Sequence, residues 1–361
     1  MQKSPITIFF ELIRIGIGTD NKLSYTPTPD EWKEVMDLAI KQTLTGIVFS
    51  GIEKLKNEQL PPKDILLSFH QYSLKIAQRN KTLNTLAIQI TKKFKEEGFE
   101  SVILKGQGVA TFYDNPNRRT PGDIDIWLNS DRKKIISYVK KIIPNCRPVY
   151  HHVDFLTING ISTEVHFTPT WMNCYFTNKK LQDYFRRESK QQFSNRIKIE
   201  GCDGYINVPT LAFNRIYILL HIYRHLFQEG IGLRQLLDYF YILRQGFTNE
   251  EKKETVAQLK ELKMLRFAGA TMYVLKKVFL LEDKFLITTP LEREGKFLLN
   301  EILVAGNFGK YSPTYQNEMH SSLMRRAITK SLHHLRYLRS YPSETLWGPI
   351  FRIWQYFFIK E

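Results

Sequence analysis

The sequence predicts an α+β chain, in which a small mixed sheet with helices on it is flanked by an N-terminal and a C-terminal helical region. Apolar residues keep a helical period to about residue 98. From Glu100 the period shortens into apolar and alternating runs, and after Val208-Pro209-Thr210 the helical period returns. The divisions fall at 1–98, 99–207 and 208–361. A chain of 361 residues has room for roughly two domains and a sizeable core.

In the first region Trp32, Met36, Ala39, Thr43 and Ile47 keep a helical spacing after Thr26-Pro27-Thr28-Pro29-Asp30, with Asp30 as the expected N-cap. Pro61-Pro62 interrupts the pattern. A long helix is expected over 63–97, where Leu66, Phe69, Tyr72, Ile76, Leu83, Leu86 and Ile90 recur at threes, fours and sevens, with Gly98 in the C′ position.

In the second region Ser101 to Lys105 reads as a buried strand between Gly98 and Gly106, and Asp123 to Leu128 as an alternating one. Ser130 and Asp131 can cap a helix running through Ile142. Tyr150 to Ile158 and Ile161 to Phe167 flank Asn159-Gly160, a type I′ hairpin signature because both turn residues need positive φ. In the third region Leu211, Ile218, Leu219, Ile222 and Leu226 fit one helix, and Leu236, Leu237, Phe240 and Leu243 the next. Gly246, Gly306 and Gly309 mark breaks.

Lys and Arg outnumber Asp and Glu by 52 to 36, a net charge of +16, which draws phosphate-bearing ligands, nucleic acid or anionic lipid. Local basic excesses recur over 132–147, 179–198 and 325–339, and each reads equally well as a solvated surface. The three cysteines, Cys146, Cys174 and Cys202, form no C-x-x-C, which fits a reducing compartment. Glu11 and Arg14 interrupt the first apolar run before it reaches signal-peptide length, and no uncharged apolar stretch reaches the ~18–20 residues of a membrane span. The expectation is a cytoplasmic protein without a transmembrane segment.

Asp123 and Asp125 lie two apart on a strand, hence on one face about 6–7 Å apart. Carboxylates so placed repel unless a cation sits between them. Glu164 lies on the second hairpin arm, and if that arm pairs beside 123–128 the three acids converge on one spot. Oxygen ligands of this kind suit Mg²⁺ or Mn²⁺, which also take oxygens from substrate phosphates. Lys105-Gly106-Gln107-Gly108 opens a helix after the first strand, where backbone amides and the lysine can hold phosphate, although G-x-G alone better fits an ordinary strand-to-helix turn. Arg118 and Arg119 stand in the loop before Asp123, where an arginine can reach a triphosphate bidentately or pair with a neighbouring acid.

Leu104-Lys105-Gly106, Tyr113, Arg118 or Arg119, Asp123-Ile124-Asp125 and Glu164-Val165-His166 together resemble the uncharacterised nucleotidyltransferase family of the polymerase-β-like superfamily. The resemblance is best over 98–170 and extends to His221-Ile222-Tyr223-Arg224-His225 and to Gly232 through Asp238. Gln107 stands where the superfamily usually has Ser, and Glu164 where it more often has Asp. The resemblance implies a polymerase-β-like core and transfer of a nucleoside monophosphate from an NTP donor to an acceptor hydroxyl, with pyrophosphate released. It implies that Asp123 and Asp125 bind two Mg²⁺ ions. Glu164 would hold the metal that activates the acceptor and can also serve as its base. Lys105 and the amides near Gly106 and Gly108 would steady the phosphates.

His166 shares the face of Glu164 and can hydrogen-bond a metal ligand. His151 and His152 begin a strand and are expected on opposite faces, one of them toward the cleft. His221 and His225 have a spacing that can bind zinc, but Ile222 excludes H-E-x-x-H, and a polar helix face near the cleft fits better. Arg224, Arg234 and Asp238 are acceptor or substrate contacts through the family likeness alone, and an ion-pair set between helices explains them equally. No G-x-S-x-G, Walker A or dinucleotide fingerprint occurs.

Leu346, Trp347, Ile350, Phe351, Trp354, Phe357 and Phe358 form one helical stripe, with Arg352, Gln355 and Lys360 off it. Packing against the domain is the expected use, with a peripheral membrane or dimer contact through 346–358 as the alternative. The same fold can carry a non-catalytic nucleotide-binding or regulatory protein, against which the retention of all three acids speaks. It can also carry a tRNA- or RNA-modifying nucleotidyltransferase, for which the charge leaves room.

Overall fold

The computed structural model describes residues 4–311, 332 and 334–358, without the side chains of Tyr356 and Phe358. It is an α+β structure. The N-terminal helices are α1 (Pro5–Gly16), α2 (Pro29–Lys41), α3 (Thr45–Ile52) and α4 (Lys63–Glu96). The cap of α2 is Thr28, not Asp30: its hydroxyl accepts from the Glu31 N–H while the Glu31 carboxylate accepts from the Thr28 N–H, a capping box with Pro29 at N1. The helix expected to run on through Thr43 to Ile47 is two helices. Thr43 adopts φ +56° and reverses the chain between α2 and α3. In α4 the buried stripe runs through Ile65, Phe69, Ile76, Leu83, Leu86 and Ile90, whereas Tyr72 is exposed.

The sheet contains β1 (Ser101–Leu104), β2 (Ile124–Leu128), β3 (His152–Ile158) and β4 (Ile161–His166), in the order β1-β2-β4-β3. Pairings β1–β2 and β3–β4 are antiparallel, and β2–β4 is parallel. A short helix α5 (Gly106–Ala110) follows β1, and α6 (Arg132–Ile142) follows β2, capped by the Asp131 carboxylate accepting from the Lys134 N–H. The hairpin turn has Asn159 at φ +52° and Gly160 at φ +71°, as a type I′ turn requires.

Alternation divides the sheet into two faces. Ile124, Ile126, Leu128, Val153 and Val165 join Leu86, Ile90 and Phe94 of α4 and Ile135 of α6 in one core. Residues of opposite parity turn the other way: Trp127 meets Phe193 and Phe213 at 4.7 and 6.2 Å between ring centroids, and Asp125, Glu164 and His166 share its face. That second face is covered by α8 (Leu211–Gln228) and α9 (Leu233–Arg244), whose side chains are mostly buried. Before α8 come α7 (Tyr175–Ser194) and a two-stranded sheet of β5 (Arg196–Lys198) and β6 (Tyr205–Asn207). The Asn207 side-chain amide donates to the Ser101 carbonyl at 3.0 Å and ties this ribbon to β1. Then follow α10 (Asn249–Glu261), α11 (Leu265–Phe279), α12 (Glu292–Ala305) and α13 (Pro342–Phe358).

The aromatic stripe of the C-terminal segment is only partly used in packing. Phe351 and Trp354 lie 5.5 and 5.9 Å from Tyr150, and Trp347 lies 5.8 Å from Phe176, while Leu346, Ile350, Ile353 and Phe357 are exposed. The Phe358 side chain, Lys360 and the basic positions 325 to 331 lie outside the described residues. Among the described residues no helix is long and apolar enough to cross a membrane.

Glu344, in the first turn of α13, is buried and accepts the Asn173 N–H at 2.7 Å and the Cys174 N–H at 3.1 Å. Burial pushes its carboxyl up from 4.5 to about 7. Between those values the folded chain holds a proton that the unfolded chain has released, so stability falls as pH rises through that window. The expected size is roughly 3 kcal/mol. Urea midpoints at pH 5 and pH 8 should differ more for the wild type than for Glu344→Gln; parallel pH dependences in the two proteins would contradict this assignment.

Candidate active site

The parallel pairing sets Asp125 directly opposite Glu164. Across the other edge of β2, Leu104 is the partner of Asp125, so Lys105 leaves β1 beside the Asp125 carboxylate. Lys105 takes φ +52°, an uncommon conformation for a residue with a Cβ, and its ammonium lies 2.7 Å from Asp125 Oδ2. His166 Nε2 lies 2.9 Å from Asp125 Oδ1 and 3.3 Å from Glu164 Oε2. His152 Nδ1 lies 3.4 Å from the same Glu164 oxygen. Asp123 sits one residue before β2, exposed to the cleft rather than on the strand proper.

Burial opposes the charge on Asp125, but Lys105 and the His166 bond outweigh it and hold the carboxyl well below the usual range. Glu164 is also lowered: His166 and His152 overcome its burial and the repulsion from Asp125. Asp123 is raised, first by the neighbouring Asp125 charge and then by burial. Burial would lower His166, yet Asp125 and Glu164 raise it. His151 and His221 are pushed well below the ordinary range by burial and by nearby cations, and His225 falls to about 4 for the same reasons.

All of these groups except His166, which stands behind Asp125 and Glu164, line a cleft of about 370 Å³ between the sheet and α8 and α9, a size within the range of small-ligand sites. Asp125, Glu164 and His166 each offer a ligand atom, and these atoms lie within 4.8 Å of one another. Among the described residues His151, His152 and Glu164 form a second such set, and Asp123 belongs to neither. The donor chemistry suits a divalent cation: the acids are ionised and close, and an ammonium already lies against one of them.

The other expected residues divide. Gly106 lines the cleft. Gln107 is buried and donates to Asn84 on α4, and a Cβ on Gly108 would come within 2.8 Å of Val208, so Gly108 serves helix packing. Arg118 is not in the cleft: it pairs with Glu53 at the end of α3 at 2.8 Å and stacks on Phe49. Arg119 does line the cleft, but Nε and Nη2 donate to the two Asp238 oxygens at 2.8 and 2.9 Å, so Asp238 is the partner of Arg119 and of the Tyr113 hydroxyl. His221 Nε2 lies 3.4 Å from the Lys105 ammonium. Arg224 donates to His151 and His225, both at 3.0 Å, and Arg234 to the Thr120 carbonyl at 2.9 Å. His225 also meets Glu229 at 3.2 Å.

His151 and His152 do not face apart. His151 precedes β3, outside its alternation, and both rings line the cleft with centroids 4.2 Å apart. Trp171, Phe308 and Gln355 also reach the cleft wall; nothing in the local pattern singles them out, because they arrive from loops and from α13.

The uncharacterised nucleotidyltransferase family model matches residues 28–280. None of the curated proteins matches the chain. Among solved structures, an antigenic nucleotidyltransferase-like protein from Paracoccidioides brasiliensis is similar at 14% identity and a TM-score of 0.33, covering 58% of this chain and 95% of that one. With the family match spanning α2 to α4, the sheet with Asp125 and Glu164, Asp123 just before it, and the helices above the cleft, the chain belongs to the uncharacterised nucleotidyltransferase family.

Proposed function

We propose that the cleft transfers a nucleoside monophosphate from an NTP to an acceptor hydroxyl, using a divalent metal ion. The observation that carries this reading is the register of Asp125 against Glu164, with Asp123 at the mouth of the same strand and Lys105 against Asp125. Asp123, Asp125 and Glu164 would hold Mg²⁺ or Mn²⁺, with His166 a further donor or an orienting partner for both inner acids. When bound, the metal would screen the phosphate charges and lower the pKa of a hydroxyl beside it.

The chain's own groups supply the rest. Lys105, whose ammonium lies against Asp125 at the end of β1, would reach phosphate oxygens, and Gly106 leaves room for them beside the strand end. The acceptor oxygen bonds to the α-phosphorus, the α–β bridging P–O bond breaks, and its electron pair leaves with pyrophosphate. Glu164, ionised at neutral pH, takes the acceptor proton, and His152 stands behind it at 3.4 Å.

Calorimetric titration of ATP, GTP, CTP and UTP with and without Mg²⁺, beside Asp123→Ala, tests this. At least one nucleotide should bind in a Mg²⁺-dependent manner, and the variant should bind it at least about tenfold more weakly. Absence of binding by all four, or equal binding by the variant, would count against the reading.

A further inference from the structure

Two half-buried cleft arginines lack, among the described residues, the carboxylate partner that the buried Arg119 and Arg215 possess. Arg119 has Asp238 and Arg215 has Glu251. Arg224 and Arg234 make no ion pair with a carboxylate among the described residues. Their only hydrogen-bond partners there are His151 and His225 for Arg224 and the Thr120 carbonyl for Arg234, and the Nε of each is buried and unpartnered. Burial disfavours the charge of both. Glu229, Glu164 and Asp125 offset part of that cost at Arg224, and Asp238 and Asp123 part of it at Arg234; an anion arriving with a ligand and bonding directly would offset more.

The two have different polar neighbours, although Phe308 lies near Arg234 at 5.9 Å and near His225, the partner of Arg224, at 5.2 Å. Arg234 Nη1 lies 3.6 Å from where a Cβ on Gly122 would be, next to Asp123 and on the side of Lys105 and Gly106, where the donor phosphates are placed above. Arg224 is joined to Glu164 by His151 and His152 through steps of 3.0, 2.9 and 3.4 Å, and its other partner, His225, packs edge-on against His221 beside Lys105. Its guanidinium is stacked 4.3 Å from the Trp171 ring centroid, and Trp171 is backed by Phe351 of α13 at 6.0 Å. A guanidinium held over a ring is preorganised for a planar or tetrahedral oxyanion.

We infer that the acceptor carries an oxyanion, a phosphate or a carboxylate, and that Arg224 receives it while Arg234 serves the donor phosphates. This rests on the proposed transfer reaction, in which Glu164 marks the acceptor side. Glycerol 3-phosphate, glycerate and glycerol are matched probes that differ in the charged group. Each is titrated into wild type, Arg224→Lys, Arg224→Gln and Arg234→Gln in the presence of Mg²⁺ and a non-hydrolysable analogue of the preferred nucleotide. The nucleotide analogue is titrated separately.

The wild type should bind one or both anions and not glycerol, which also tells phosphate from carboxylate. Arg224→Gln should weaken that binding about tenfold or more with nucleotide affinity retained, Arg224→Lys should recover part of it, and Arg234→Gln should do the reverse. Glycerol binding as well as the anions, no anion binding by a wild type that binds nucleotide, anion binding untouched in Arg224→Gln, or a loss confined to nucleotide would each overturn the inference. A wild type that binds no nucleotide would instead count against the transfer reaction itself, which the separate titration reads.

Discussion

Asp125→Asn is expected to reduce pyrophosphate release from the preferred nucleotide on the order of a thousandfold while the chain stays folded. The substitution keeps the shape of the side chain and removes the charge that Lys105 and His166 hold at 2.7 and 2.9 Å. Losing a charged ligand at a metal-assisted phosphoryl centre forfeits several kcal/mol of charge stabilisation, and each 1.36 kcal/mol is a factor of ten in rate. The fold should survive. His166 keeps Glu164 at 3.3 Å, and the Lys105 side chain, with 17% exposure, can turn toward the open cleft. Circular dichroism and the thermal transition check folding, Mn²⁺ titration followed by electron paramagnetic resonance checks metal affinity, and pyrophosphate release checks turnover. A folded variant with undiminished turnover would remove this site from consideration.

The largest effect on stability is expected at Arg119. Its side chain is 4% exposed and that of Asp238 8%, and Tyr113 donates to the same carboxylate at 2.6 Å. Arg119→Met would leave the Asp238 charge buried with only the Tyr113 hydroxyl in direct contact and Arg234 nearby. Breaking a buried pair in this way costs about 3–5 kcal/mol, because the orphaned charge keeps its desolvation penalty. Replacing both partners with apolar residues removes that penalty, so Arg119→Met with Asp238→Leu should recover most of the loss. Urea denaturation of the two single variants and the double variant reads this as a cycle. An unchanged midpoint for Arg119→Met would show that the pair carries no stability. The pair also fastens the loop entering β2 to α9, so a destabilised Arg119 variant should lose nucleotide binding only as it unfolds.

Much of the site was legible because β structure exposes its faces through parity. The alternation over Asp123 to Leu128 told that Ile124 and Ile126 face away from Asp125. Asn159-Gly160 set the pairing next to the turn, Ile158 on Ile161 and Thr157 on Ser162, but the register shifts between Thr157 and Asp154, so the pairing at Glu164 and His166 was not fixed by the turn. Helical period marked α4, α8 and α9, each of which exists within a residue or a few of where the pattern placed it. These are local properties, determined by steric limits on φ and ψ and by which side of an element must leave water.

Other features depended on which distant surfaces meet, and short-range pattern carries no record of that. Arg118 and Arg119 are adjacent and chemically alike in sequence. The tertiary structure sends one to Glu53 on the N-terminal helices and the other to Asp238 on α9, because the turn at Pro116–Arg118 lies between those two surfaces. Gly108 looked like a phosphate-loop glycine and is a packing glycine against Val208. His151 and His152 looked divided by strand parity, but His151 stands before the strand begins. The parallel pairing of β2 with β4, the arginines of α8 and α9 that have no carboxylate partner among the described residues, and the approach of α13 to Trp171 also arose only in three dimensions. The sequence by itself determined which residues share a face and which can bear charge. Only the tertiary structure decided which charges are compensated, because the compensating partner is a long-range contact chosen by packing rather than by period.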